Sequence, residues 1–370
     1  MGAIGFLPAT APLSAEQLAV GDKRFDRLDG GNRSLHVFPN ALINSSFDHW
    51  QRGNGPFALT GGGSIYGPDR WRLFNVGPNG SVTITRQPLS FGDWPSQSRL
   101  SVIFGGSGNT ATADGIVFQQ PIEGVDTFAG KRVVVRGGIR LVSGAAGSKV
   151  SVELVQNFGT GGSASVYTDA GRVALSGVLT PFAAIVDVPS MAGKVIGSAG
   201  DFLGLQFWCS SGSDYAARTG NLGFQAITVQ LVDVEVKEVK PGYGDQYPGF
   251  ERVPRETDYD RCLRFYEQSW LTEVDIVGLN TAVGFGTVHP TGACRIAVRY
   301  RKRKRINPVL AIADTNLIRG AVSIYYTSSN SWVGGQGYSL LSGSAEGFYF
   351  GHNNPSSIET QGHYIASADY

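Results

Sequence analysis

Hydrophobic and polar residues alternate one for one through much of the first two thirds of the chain. Ser81-Val82-Thr83-Ile84-Thr85 does so, as do Val150-Ser151-Val152-Glu153-Leu154 and the longer run from Val229 to Val236. A period of two places every second side chain on one face, the pattern of half-buried antiparallel strands. Clusters of Gly, Ser and Asn at Gly61 to Gly63, Gly105 to Asn109, Gly144 to Ser148 and Gly159 to Ser163 punctuate these runs and predict turns. Many short strands at this spacing over residues 39–240 predict a jelly-roll β-sandwich. No fixed-period repeat is visible, which argues against a solenoid.

Two stretches break the alternation. In residues 1–38, Ser14 and Gln17 have capping-box spacing, and Leu18, Phe25 and Leu28 follow as a short apolar stripe ended by Gly30-Gly31. A helix that short is marginal alone, so residues 1–38 read as an attachment or oligomerisation arm. Residues 241–274 read as a linker and helix. A Pro/Gly/Tyr-rich connector leads to Thr257 and Asp260 at cap spacing, and Tyr259, Cys262, Leu263, Tyr266 and Trp270 follow a helical period. Short-strand patterning returns over 275–370. The expected fold is all-β: a short N-terminal arm, a jelly-roll β-sandwich, a short helix, and a second, smaller β-sandwich domain.

Composition narrows the function classes. The 370 residues suffice for two domains, and 51 glycines with 17 prolines exceed the average combined share of about 12%. Lys plus Arg (31) balances Asp plus Glu (30), so no global field recruits nucleic acid or an acidic membrane surface. No apolar run approaches a membrane span. Cys209, Cys262 and Cys294 are widely spaced and read as buried free thiols. The opening residues lack a signal-peptide pattern, so the chain is expected to stay in the cell that makes it or to leave inside a larger assembly.

Catalytic signatures are missing. Gly124 to Lys131 has the wrong glycine spacing for a phosphate loop, and Arg132 stands where a Ser or Thr is needed. The five histidines never fall at i, i+4, and no nucleophile elbow or dinucleotide fingerprint occurs. The chain is expected to be non-enzymatic, with no cofactor and no metal.

Several segments together resemble a known family. Asn40-Ala41-Leu42-Ile43-Asn44, leading through Phe47 and Trp50 to Gln51-Arg52-Gly53, resembles the opening strand of a jelly-roll module common in bacteriophage tail fibres and other virion appendages. Asp69-Arg70-Trp71 is similar to the tripeptide that usually follows there. Phe128 to Val135 looks like a mid-module strand, and Val229 to Val236 with Phe250 to Arg252 like the module's closing strand and exit. Asp260 to Glu267 is similar to the helix that follows, and the last 95 or so residues, with Asn307-Pro308 and a terminal Tyr364 to Tyr370, resemble the distal β domain. The resemblance implies a non-enzymatic, trimeric appendage of a phage or gene transfer agent, on the head or the tail. Its jelly roll would resemble carbohydrate-binding modules. The implied partners are copies of itself, other virion proteins through residues 1–38, and host surface polysaccharide, with no nucleic acid and no membrane insertion. A ligand-free structural connector or decoration protein, and a glycan depolymerase, are the alternatives.

Candidate glycan contacts are aromatics and amides in turns, where a flat ring can meet a sugar face and amides its hydroxyls. These are Trp94, Tyr215, Trp332, Tyr338, His352 and Asn353. Trp50 and Trp71 sit among apolar residues and read as core. The basic run Arg299 to Arg305 departs from the family's pattern. It reads as a solvated or edge-protecting strand end, a contact for an acidic polysaccharide or lipopolysaccharide, a nucleic-acid contact, or a subunit contact.

Overall fold

In the computed structural model, residues 40–90, 92–94, 99–239, 250, 252–269, 287–288, 293–314, 319, 321–326, 329, 331–353 and 357–369 are described. The arm at 1–38, Trp270 and all of 241–249 in the connector lie outside them. The side chains of Cys294, His352 and Asn353 also lie outside.

Twelve strands build the sandwich. They are β1 (Phe57–Thr60), β2 (Gly63–Tyr66), β3 (Arg72–Val76), β4 (Ser81–Pro88), β5 (Leu100–Ser107) and β6 (Gly115–Glu123). Then come β7 (Arg132–Ser143), β8 (Lys149–Asn157), β9 (Val166–Ala174), β10 (Thr180–Asp187), β11 (Phe202–Ser211) and β12 (Ile227–Glu238). One sheet runs β1-β4-β5-β12-β7-β10 and the other β2-β3-β6-β11-β8-β9, with every pairing antiparallel. The alternating residues behave as their period requires. Val82 and Ile84 of β4, Val150, Val152 and Leu154 of β8, and Val229, Leu231, Val234 and Val236 of β12 all enter one core between the sheets. Trp50 and Trp71 are in that core, 2% and 0% exposed, and Trp71 stacks on Phe118.

The expected turn at Gly105 to Asn109 begins only at Gly108, which takes φ 85°. Gly105 and Gly106 lie inside β5, where a Cβ would come 2.0 Å from the Ile227 carbonyl oxygen and 2.1 Å from that of Ser81. Glycine there permits close approach of three strands, a role that composition alone does not separate from a turn.

The expected helix is shorter and starts earlier. Between the four-residue α1 (Ala216–Thr219) and the distal strands lies α2 (Arg255–Leu263). Pro254 takes the cap position of α2 without a side-chain cap bond, so Thr257 and Asp260 do not form its cap. Glu256 and Asp258 in its first turn oppose the helix dipole instead. Tyr266 belongs not to the helix but to β13 (Tyr266–Gln268).

The distal strands are β14 (Thr287–Val288), β15 (Ala293–Arg299), β16 (Val309–Ala313), β17 (Val322–Tyr326) and β18 (Ser331–Gln336). β19 (Ser339–Gly343), β20 (Gly347–Asn353), β21 (Ser357–Gln361) and β22 (His363–Ser367) complete them. They form three small sheets, β13-β22-β16, β14-β15-β20-β19 and β18-β17-β21, over a second core that includes Ile296, Val298, Ile324, Phe348, Phe350 and Tyr364.

The recognised motifs meet where the sandwich joins α2. Asn44 takes φ 54° and holds the His49 and Asp69 carbonyls through Nδ2. The Asp258 carboxylate of α2 accepts from the Asn44 backbone N–H at 3.1 Å. Arg70 is 1% exposed, lies 3.5 Å over the Phe265 ring, and pairs with Asp369 near the end of the chain at 3.1 Å. Arg52 pairs with the same Asp369 and stacks on Tyr266.

Most of the basic run is solvated, with Arg299, Arg301, Lys302 and Arg303 exposed, but Lys304 is an intramolecular clasp. Lys304 is 1% exposed, and its ammonium donates to Glu267 at 2.6 Å and to the Leu263 carbonyl at 2.5 Å. Lys302 pairs with Asp260 of α2 and Arg303 with Glu346. The strand stops at Arg299 and the following segment turns back on α2, so Lys304 is not part of a solvated strand tip. A lysine can be buried there because Glu267 neutralises it.

Candidate functional site

The second sheet presents a polar row on the face turned away from the core. In β11, Leu203, Leu205, Phe207 and Cys209 point into the core, which sends Gly204, Gln206 and Trp208 outward. The same parity sends out Ser151, Glu153 and Val155 on β8, Val117 and Gln119 on β6, and Arg72 and Phe74 on β3. Register then aligns them. Tyr66 faces Arg72, Arg72 faces Gln119, Gln119 faces Gln206, Gln206 faces Glu153, and Glu153 faces Asp169. One polar or phenolic side chain thus comes from each of six adjacent strands.

Aromatic rings flank the row, whose inner members Ser151, Glu153, Gln119 and Trp208 are nearly closed off at 0%, 1%, 3% and 3% exposure, while Gln206 and the edge residues are more open. Trp208 opposes Ser151 one step along the strands, and Tyr215, from the turn before α1, packs 4.9 Å from the Trp208 ring. On the other side Gly204 opposes Val155, which opposes Tyr167, an exposed tyrosine at the sheet edge. A Cβ at 204 would come 2.7 Å from Val155 Cγ1 and 3.0 Å from Gln119 Nε2, so glycine there leaves the Gln119 amide its room.

Arg218 of α1 reaches across this surface. Its guanidinium lies 3.5 Å from the Tyr167 ring centroid and 5.1 Å from that of Trp208. It forks onto Glu153 with bonds of 3.1 and 2.6 Å, and donates to Gln206 Oε1 at 3.3 Å. Burial pushes the Glu153 carboxyl above its ordinary range, and the bonds from Arg218 pull it back. At the other end Arg72 donates to Gln119 Oε1 at 3.3 Å and lies over Phe74. Arg172 pairs with Asp169 at 2.8 Å and ties α1 down through the Thr219 carbonyl. Amides and charges beside flat rings on a rigid sheet are the elements of a site for a polyhydroxylated ligand.

The six residues singled out from sequence fall in three places. Tyr215 is at the polar row. Trp94 lies on the outer face of the opposite sheet, across Gly138, where a Cβ would come 2.4 Å from its ring. Trp332 stands in β18 and Tyr338 just after it, half-buried against the distal core. His352 and Asn353 end β20, with their backbones opposite Cys294 and Ala293. Trp332, His352 and Asn353 are therefore strand residues, not turn residues, and Trp208 is a strand residue that is 3% exposed. Sequence reading missed Gln119, Glu153, Tyr167, Gln206 and Arg218. The outward positions of Glu153 and Gln206 were visible as polar residues within apolar alternation, but their alignment depends on inter-strand register.

Among the described residues, no group of three or more His, Cys, Asp or Glu could hold a metal, and no helix is long and apolar enough to cross a membrane. Cys209 and Cys262 are buried free thiols, and burial raises both above the usual thiol range. A cavity of about 280 Å³ at the junction of sandwich and helix is lined by Ile43, Gln120, Glu123, Arg261, Arg264 and Phe265, among others. Arg264 at its rim is already forked onto Glu123.

No family model matches the chain, and no curated protein matches it in sequence. Among solved structures it is similar to the enzymatically active domain of bacteriophage CBA120 tailspike protein 4, at 12% identity and TM-score 0.32. That match covers 54% of this chain and only 22% of the tailspike domain. It is also similar to the CBM22-2 xylan-binding domain of Paenibacillus barcinonensis Xyn10C (14% identity, TM-score 0.30, 46% of this chain and 92% of that one). A third similarity is to the family 11 carbohydrate-binding module of Clostridium thermocellum, solved with a mixed-linked tetrasaccharide (8% identity, TM-score 0.29, 49% of this chain and 96% of that one). At these identities and scores the likenesses decide neither chemistry nor ligand, which rest on the site itself.

Proposed function

We propose that the chain is a carbohydrate-binding subunit of a phage-type particle, holding host surface polysaccharide on the polar row of its second sheet without cleaving it. The observation that carries this reading is the alignment Arg72–Gln119–Gln206–Glu153–Asp169 across five strands, bordered by Trp208, Tyr215 and Tyr167. A row of this kind matches an extended chain of sugar rings better than it matches a compact cofactor. Non-enzymatic action is supported by the state of its carboxylates, since Glu153 is committed to Arg218 and Asp169 to Arg172.

The particle context rests on the resemblance of residues 40–370 to virion appendages. Several identical copies would raise effective concentration, so weak contacts to a repeating polymer would add up. Residues 1–38 would attach the subunit to its particle.

The test is binding of the purified chain to intact host cells before and after the surface polysaccharide is stripped. Binding that disappears with the polysaccharide is expected. Binding that survives stripping contradicts the glycan reading, and a folded chain that never binds favours a structural connector. Release of reducing ends from purified polysaccharide would instead establish a depolymerase.

A further inference from the structure

The chain contains two Asn-Gly dipeptides, Asn54-Gly55 and Asn79-Gly80. In such a pair the glycine nitrogen can reach the asparagine side-chain carbon through a small ring, and no Cβ obstructs the approach. Ring closure needs the intervening peptide to turn, a free glycine N–H and an amide group able to leave. The fold supplies these at one dipeptide and withholds them at the other.

Asn79-Gly80 is tied on every side. Asn79 Nδ2 donates to Asp114 at 3.0 Å, and the Asn79 carbonyl accepts from the side chains of Asn75 and Asn109. The Gly80 carbonyl accepts from Asn75 and from the Gly61 N–H, and a Cβ at 80 would come 2.6 Å from the Ser107 carbonyl oxygen. Turning this peptide would break several of those bonds at once.

Asn54 and Gly55 are both exposed, in the bend that leads into β1. Among the described residues, neither the Gly55 N–H nor Asn54 Nδ2 donates a hydrogen bond. The one bond this amide makes is to its oxygen: Arg86 of β4 donates to Asn54 Oδ1 at 2.8 Å. That oxygen gains negative charge when the carbon beside it becomes tetrahedral, and a guanidinium already in place stabilises the charge.

We infer that Asn54-Gly55 is a site of spontaneous deamidation, with Arg86 promoting ring closure. The Gly55 nitrogen gives its proton to solvent and bonds to Asn54 Cγ. The Cγ–Nδ2 bond then breaks, and the amide nitrogen takes up a proton and departs as ammonia. Water opens the resulting succinimide at either carbonyl, leaving aspartate or isoaspartate at position 54. The sum is one water consumed and one ammonia released, with no oxidant or reductant. Each event adds a negative charge beside Arg86 and cancels the chain's formal net charge of +1.

The experiment incubates the full chain at mildly alkaline pH and physiological temperature, then quantifies both dipeptides by peptide mass spectrometry with isoaspartate resolved by chromatography. The expected result is conversion at Asn54 at least tenfold faster than at Asn79, with the two rates converging when the chain is unfolded in denaturant. Equal rates in the folded chain, or faster conversion at Asn79, overturn the inference. Arg86→Gln is expected to slow conversion at Asn54 at least threefold and to leave Asn79 unchanged; an unchanged or higher rate overturns the part assigned to Arg86. The comparison of the two sites needs no variant, so a poorly folding Arg86→Gln does not weaken it.

Discussion

Gly204 and Glu153 show how single positions shape the candidate site. Any side chain at 204 must displace Val155 or the Gln119 amide, because the space a Cβ needs is already filled at 2.7 and 3.0 Å. Gly204→Ala is therefore expected to destabilise the fold by about 1–3 kcal/mol, the usual cost of overpacking, and to weaken glycan binding. Denaturant unfolding and titration on the same sample check both; unchanged binding would place the ligand elsewhere. Arg218 is the cation that holds the buried Glu153, with Trp208 beside it, so removing Arg218 leaves the carboxylate without its counter-charge. Arg218→Ala is expected to cost about 1–3 kcal/mol, below the figure for a fully buried pair because the arginine is 22% exposed. A wild-type unfolding midpoint for that variant would mean the pair contributes nothing net.

Among the elements, the strands were the most legible. A period of two with bulky residues inward is a burial statement, and β4, β8 and β12 bury the residues it marks. The start of α2 was not legible, because cap spacing at Thr257 competes with a Pro254 that is an equally good helix start. Within the basic run, Lys304 departs from the solvated reading that its exposed neighbours keep. Charge density suggests solvent, but Lys304 meets a buried Glu267 that lies 37 residues away and also receives the Tyr364 hydroxyl at 2.5 Å. Lys304→Met alone is expected to cost about 3–5 kcal/mol by stranding Glu267. The Lys304→Met/Glu267→Gln double variant is expected to recover much of that loss. A double-mutant cycle by chemical denaturation measures the coupling, and strictly additive losses would contradict the clasp. The site itself needed pairing register, since Gln119, Gln206 and Glu153 come from segments whose adjacency no local pattern encodes.

At the scale of the whole molecule, the junction between sandwich and helix is set by buried ionisable groups, and its pH response follows from their signs. Burial pushes Asp69 and Asp258 each up to about 6, and pushes His49 down to about 4. Asp69 faces Gln51, Arg52 and Asp369, Asp258 faces the Asn44 N–H, Arg261, Asp48 and Arg252, and His49 faces Asp48, Arg252, Arg255 and Tyr259. A carboxyl raised in the fold contributes stability when protonated, and that contribution is lost as pH rises from about 4 to about 6. A histidine lowered in the fold acts oppositely, losing its contribution as pH falls through the same window. Asp69→Asn or Asp258→Asn is thus expected to make melting temperature rise more with pH between 4 and 6.5, and His49→Asn to make it rise less. Unchanged slopes in all three variants would show that these groups are not perturbed by the junction.

The central claim, that the polar row is where glycan binds, is tested most directly by titrating host surface polysaccharide into variants of each candidate face. The Gln119→Ala/Gln206→Ala double variant strips the two opposed amides from the second sheet, while Trp94→Ala and Trp332→Ala alter the opposite sheet and the distal domain. With all three folded, the row predicts at least tenfold weaker binding for the double variant and little change for the other two. Full affinity in the double variant, or a loss confined to Trp94→Ala or Trp332→Ala, would contradict it.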